Sequence, residues 1–194
     1  TQTYIFVESV KRQDSASPSG GWPVDHRVNR QVMIYGMNQS VINDARWKDK
    51  ISDALKAIPS MSLVASLDDW FDPSDGLYAN PREQGKKTEI PGSLELINPD
   101  GTEGFQVNAG IRIRGGDSST SRNPKHAYRL FFRSEYGDGK LKYPLFGNEG
   151  VDEFDKIDLR TSQNHSWAFE NSRRNTFLRD IFCRDLQGKS GHHF

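Results

Sequence analysis

Between residues 105 and 114 apolar and polar side chains alternate without a break: Phe105, Val107, Ala109, Ile111 and Ile113 against Gln106, Asn108, Gly110, Arg112 and Arg114. A period of two sends successive side chains to opposite faces, so the segment predicts a strand with one buried and one polar face. SLELI at 93–97 precedes it across NPDG at 98–101, and together they predict a hairpin. KHAYRLFFRSE at 125–135 reads as the returning strand, after a connecting loop GGDSSTSRNP at 115–124 made largely of Gly, Ser and Thr. YGDGK at 136–140 predicts a turn, FDKIDLR at 154–160 a further strand and TSQNHSW a loop.

The first part of the chain is less regular. TYIFVESV at 3–10 is β-branched and aromatic and predicts a strand, followed by the loop KRQDSASPSGGWP. From Asn43 the period changes: Trp47, Ile51, Ala54, Leu55 and Ile58 recur at three and four, predicting a helix capped by Asn43 and stopped before Pro59. SLVAS at 62–66 predicts a short strand, DPSDG at 72–76 a turn whose Gly supplies positive φ, and GLY at 76–78 another short strand. Phe177, Leu178, Ile181, Phe182 and Leu186 mark a last helix, capped near Ser172 and stopped at Gly188. These elements predict an α+β fold, a twisted antiparallel sheet with flanking helices. Residues 1–57 form a leading extension of strand and amphipathic helix, and 58–194 the main unit.

Composition narrows the class. At 34% apolar residues with 17 glycines the chain is lean but foldable, and its 4 Trp, 6 Tyr and 11 Phe argue against wholesale disorder. No apolar run approaches the roughly 20 residues that span a bilayer, so no membrane span is expected. A single cysteine excludes a disulfide scaffold. Twenty-six basic and 26 acidic residues cancel, so no overall field attracts nucleic acid. The basic residues are nevertheless concentrated, with Arg112, Arg114, Arg122, Lys125, Arg129 and Arg133 close together. Thr1 opens with neither a basic nor an apolar leader, so no signal peptide is expected.

The loop at 115–124 carries the candidate chemistry. Gly115 and Gly116 lack the Cβ atoms that would keep an anion from backbone N–H groups, and Ser118 and Ser119 add hydroxyl donors. Arg114 enters the loop and Lys125 leaves it, so both could flank an anion with positive charge. The same composition also serves a plain hairpin connection, and spacing leaves both readings open. Arg112, Arg129 and Arg133 read as exposed charges of the sheet's polar face.

GIRIRGGDSSTSRNPKHAYRLFF resembles the signature of the spore coat protein H (CotH) kinase family: a strand ending in Arg-Gly, a serine-containing loop, then Pro-Lys leading a second strand. IPSMSLV, FDPSDGLYANP, PGSLELINPDG, RSEYGDGKLKYPLF, FDKIDLRTSQNHSWAF and RNTFLRDIFCRDL are similar to further family segments in their usual order, over roughly residues 58–194. The resemblance implies the N-lobe of an atypical protein kinase that binds ATP with Mg²⁺ and phosphorylates protein serines, in an exported or cell-surface bacterial protein. Carried over by position, it implies that Gly115, Gly116, Ser118 and Ser119 face the phosphates with Arg114 beside them. Lys125 would contact the α- and β-phosphates, and Asp180 on the last helix, or less directly Glu170, would pair with that lysine. The acidic residues that hold Mg²⁺ and position the acceptor are expected downstream of Phe194, so this chain is expected to be inactive alone.

Other constellations carry less. Asp68, Asp69, Asp72 and Asp75 are hard oxygen donors but lack the bidentate Glu of an EF-hand, and the five histidines show no metal-ligand spacing, so no metal site is assigned. His126 is expected to pack on the face of Tyr128 and Leu130, and Cys183 to be a core thiol of the last helix. The rival reading is a non-catalytic extracellular β-rich module that binds polysaccharide or a protein through Trp22, Trp47, Trp70 and Trp167. A further one is a pseudokinase piece without nucleotide binding.

Overall fold

A computed structural model of the chain describes residues 1–16, 18, 20–162, 166 and 174–191. In chain order the elements are α1 (Val7–Arg12), α2 (Gln39–Ile42), α3 (Ile51–Lys56), β1 (Ser60–Val64), α4 (Leu67–Phe71), β2 (Ile90–Ile97), β3 (Phe105–Arg114), β4 (Ala127–Phe131), β5 (Leu141–Lys142), β6 (Glu153–Phe154), β7 (Lys156–Leu159) and α5 (Arg179–Lys189). Single 3₁₀ turns at Lys86–Thr88 and Asp117–Ser119 precede β2 and β4. Five strands form an antiparallel sheet in the order β1-β2-β3-β4-β7, and β5 pairs with β6 in a separate ribbon. The chain is therefore α+β, as its two hydrophobic periods require.

Register sorts the residues of the sheet into two faces. Ile111 of β3 lies opposite Leu130 of β4, which lies opposite Ile157 of β7, and Leu94 on β2 lies opposite Leu63 on β1. Leu94, Ile111 and Leu130 are fully buried and form a core with Leu77, Ile90, Ala109, Phe132 and Leu141. The intervening positions line the second face: Arg112 stands opposite Arg129, which stands opposite Asp158. A one-residue slip would exchange the two faces, so burial of the apolar set holds the register.

Several local expectations are corrected. The 3–10 segment is not a strand: Val7–Arg12 is helical, with Tyr4 and Phe6 exposed. Its helix is tied to α3 through the Ser52 hydroxyl, which donates to Glu8 at 2.5 Å and accepts from Lys11 at 3.3 Å. Thr3 instead anchors to the sheet, its N–H donating to Glu95 at 2.7 Å. Of the helix expected from Asn43 only Ile51–Lys56 is helical, and Asn43 ends the preceding α2 rather than starting a helix. Asn38 caps α2 by accepting from Ser40 N–H at 3.0 Å, and the Asp44 carboxylate accepts the Arg46 N–H at 2.8 Å, a local bond that competes with a helical ladder. Residues 76–78 form a turn rather than a strand. Gly76 serves that turn by close approach, since a Cβ would run into the Asp72 backbone, and not by positive φ.

The last helix also differs. It begins at Arg179 and runs through Gly188 to Lys189, where the Ser190 hydroxyl bonds back to the Leu186 and Gln187 carbonyls and Gly191 takes φ 82°. Ile181, Phe182 and Leu186 are exposed, and so is Cys183, which is no core thiol. The expected cap at Ser172 lies outside the described residues. Among the described residues no helix is long and apolar enough to cross a membrane.

Candidate functional site

The polar face of the sheet is built on paired charges. Glu89, immediately before β2, has a side chain only 1% exposed and collects three donors. Arg112 donates from Nε at 2.8 Å, Arg133 from Nε at 3.0 Å and the Tyr136 hydroxyl at 3.0 Å. Phe131 lies under both guanidiniums, 4.4 Å from that of Arg112 and 4.7 Å from that of Arg133. One strand further on, Asp158 accepts from Arg129 Nε at 2.6 Å and Nη2 at 2.9 Å, and pairs with Arg114 Nε at 2.7 Å. The hydrogen bond from Arg129, with the Arg114 charge adding to it, holds the Asp158 carboxyl below the usual carboxylate range.

Each carboxylate thus holds two arginines; Arg133 also pairs with Glu135 at 3.8 Å, whereas the Asp158 group is left net positive. Three of those arginines, Arg112, Arg114 and Arg129, line an open cleft of about 230 Å³ between the 81–88 segment and the β3–β4 hairpin, whose walls also include Glu83, Gly85, Thr88, Gly115, Ser119 and Phe131. The volume lies below the roughly 300–1,000 Å³ of pockets that enclose a whole small molecule, and suits a compact anion such as a phosphate chain.

The structure distributes the sequence-derived candidates unevenly around this cleft. Arg114, Gly115 and Ser119 line it. Gly115 has φ 135°, and a Cβ there would collide with the Ser118 hydroxyl, so this corner of the loop admits glycine alone. Gly116 and Ser118 do not line the cleft. The Ser119 donors are already used, its N–H reaching the Gly116 carbonyl at 3.1 Å and its hydroxyl at 2.7 Å, so they brace the loop. Lys125 is exposed and stands outside the cleft lining. Asp180 pairs with Arg160 rather than with Lys125, and Glu170 lies outside the described residues. The cations at the cleft beyond Arg114 are Arg112 and Arg129, read from sequence as plain surface charges. The available signal was the alternation that puts Arg112 two residues before Arg114 on one face of β3, with Arg129 opposite Arg112 on β4.

His126 joins the loop to β4 from behind. It is 3% exposed, its ring meets Tyr78 edge-on at 5.2 Å, and its Nδ1 lies 3.1 Å from the Ser118 carbonyl. That oxygen can only accept, so Nδ1 carries the proton and Nε2 is a bare lone pair, which has no partner among the described residues. Burial pushes the imidazole below its ordinary value of 6.5, against the opposing bond to Ser118. A lowered histidine pKa means the folded state resists protonation while the unfolded chain does not. Its contribution is unimpaired above about pH 6.5 and erodes as the pH falls below that value, down to the folded-state pKa. Thermal unfolding from pH 7.5 to 5 should show this loss in the wild type and a shallower slope in His126→Gln.

The remaining candidates do not assemble into sites. The Asp72 carboxylate accepts the Ser74 N–H at 2.7 Å in a local turn, and among the described residues no group of three or more His, Cys, Asp and Glu side chains could hold a metal ion. The tryptophans are dispersed: Trp22 packs on Tyr35 at 5.8 Å, Trp70 on Tyr128 at 5.5 Å, and Trp47 sits near Lys50. Trp167 lies outside the described residues. No family model matches the chain, and neither a curated protein nor a solved structure matches it.

Proposed function

We propose that the chain binds the phosphates of a nucleotide in the cleft between the 81–88 segment and the β3–β4 hairpin. On its resemblance in sequence to the CotH family, it would serve as the ATP-binding N-lobe of an atypical kinase acting on protein serines. The observation that carries the reading is the convergence of Arg112, Arg114 and Arg129 with Gly115 on one small concave surface. Guanidiniums are planar forks suited to phosphate oxygens, and Gly115 lets a ligand approach the backbone at the end of β3. In this reading the sheet arginines take the contacts that the resemblance would give to Lys125. Among the described residues no group of three or more His, Cys, Asp and Glu side chains could hold a metal ion, and nucleotide binding is the step proposed for them.

Adding Mg·ATP should raise the melting temperature. At a ligand concentration 100 times Kd the linkage stabilisation is about 2.7 kcal/mol, which corresponds to roughly 5–10 °C for a chain of this length. Arg114→Ala should lose most of that shift. An unchanged melting temperature at millimolar Mg·ATP would overturn the reading.

A further inference from the structure

We infer that Asp158 is a positioning residue that holds Arg114 and Arg129 as a paired fork, so that the cleft selects linked phosphates over a single phosphate. The inference rests on the cleft being a phosphate site and adds which phosphate group it takes. Asp158 stands directly opposite Arg129 across the β4–β7 pair, while Arg114 lies one strand beyond on β3. Its Oδ2 receives Arg129 Nη2 at 2.9 Å and Arg114 Nε at 2.7 Å, so two guanidiniums from different strands meet on one oxygen.

Two like charges this close repel unless an anion lies between them. Asp158 supplies that anion, and the contact consumes only part of each head group. Arg129 spends Nε and Nη2 and Arg114 spends Nε, which leaves Nη1 of Arg129 and both terminal nitrogens of Arg114 for a ligand. Two separate sets of donors, fixed side by side, match two adjacent phosphates better than one. The carboxylate also removes rotamer freedom before the ligand arrives, which is where preorganised sites gain affinity. The Arg114 side chain is 46% exposed and has no other ion partner among the described residues, so its placement depends on Asp158.

The test is isothermal titration of the full chain with sodium tripolyphosphate and with orthophosphate at matched ionic strength. The wild type should prefer tripolyphosphate, and Asp158→Asn should reduce that preference about ten-fold, the size expected for losing preorganisation of a charged pair, while orthophosphate binding changes little. Asp158→Glu should restore part of the preference, and Arg129→Lys, which keeps the charge but loses the fork, should reduce it. The ratio of the two affinities is the deciding readout, because a general loss of stability would not change it. If Asp158→Asn keeps the wild-type ratio, or binds tripolyphosphate more tightly, Asp158 is not a positioning residue although the cleft remains a phosphate site. Should the wild type bind neither anion, the phosphate reading fails first and this inference with it. If Asp158→Asn does not fold, Arg129→Lys decides: a reduced ratio supports the fork and an unchanged ratio overturns it.

Discussion

Glu89→Ala is expected to lower the stability of the chain by about 3–5 kcal/mol, the range for removing one partner of a buried ion pair. The carboxylate is nearly inaccessible, and the deletion leaves Arg112 without its ion partner and Arg133 with only the more distant Glu135, 3.8 Å away. It also strands the Tyr136 hydroxyl, which donates to Glu89 at 3.0 Å and whose pKa is pushed up to about 12 by burial first and then by that bond. At roughly 2–4 °C per kcal/mol for this length, the melting temperature measured by circular dichroism should fall by about 6–20 °C. Because the cost lies in the orphaned arginines, Glu89→Ala combined with Arg112→Ala should cost less than the two single changes added together. Strict additivity would show that Glu89 acts through packing alone.

Leu130→Ala is the second large effect, expected at about 2–5 kcal/mol. Leu130 is fully buried on β4, between Ile111 of β3 and Ile157 of β7. Both neighbours are held by strand pairing, so the cavity collapses little and most of the cavity cost remains. Ile111→Val at the adjoining position should cost only about 0.5–1.5 kcal/mol, since it removes one methylene. Urea unfolding curves of the two variants would check the ratio. If Leu130→Ala proved as mild as Ile111→Val, β4 would not be the centre of the core. The same strand carries Arg129 on its opposite face, so Leu130→Ala should also weaken anion binding in proportion to the unfolded fraction.

Leu130 and the arginines that Glu89 holds lie in the part of the chain whose pattern was plainest. The unbroken alternation from Phe105 to Ile113 identified β3 and the face it buries, and the turn residues at 98–101 joined it to β2. The candidate site was legible only in part. Arg114 and Gly115 could be picked out because a loop of small residues flanked by charge is a local feature. Glu89 and Asp158 could not, since each meets its arginines 23 or more positions away along the chain, and nothing in the segment around either one announces a partner. Lys125 carried a resemblance to a motif, but its position just before β4 leaves it exposed beside the loop.

The N-terminal segment failed for a related reason. TYIFVESV has strand-forming residues but no clean alternation, and although its Thr3 hydroxyl reaches Ser62 on the edge strand β1 at 2.7 Å it adds no strand there. Its backbone bonds close locally instead, with Glu8 and Lys11 meeting Ser52 on a neighbouring helix.

Local chemistry, then, was enough to specify the strands of the hairpin, their buried and polar faces, and the glycine-dependent corner at residue 115, because each depends on side-chain period or on backbone sterics within a few residues. Which charges share a carboxylate, and which of them border the cleft, depended on register among β2, β3, β4 and β7. That register is held by the burial of Leu94, Ile111 and Leu130 on the far side of the sheet, so the arrangement of the arginines follows from hydrophobic packing on the face opposite to them.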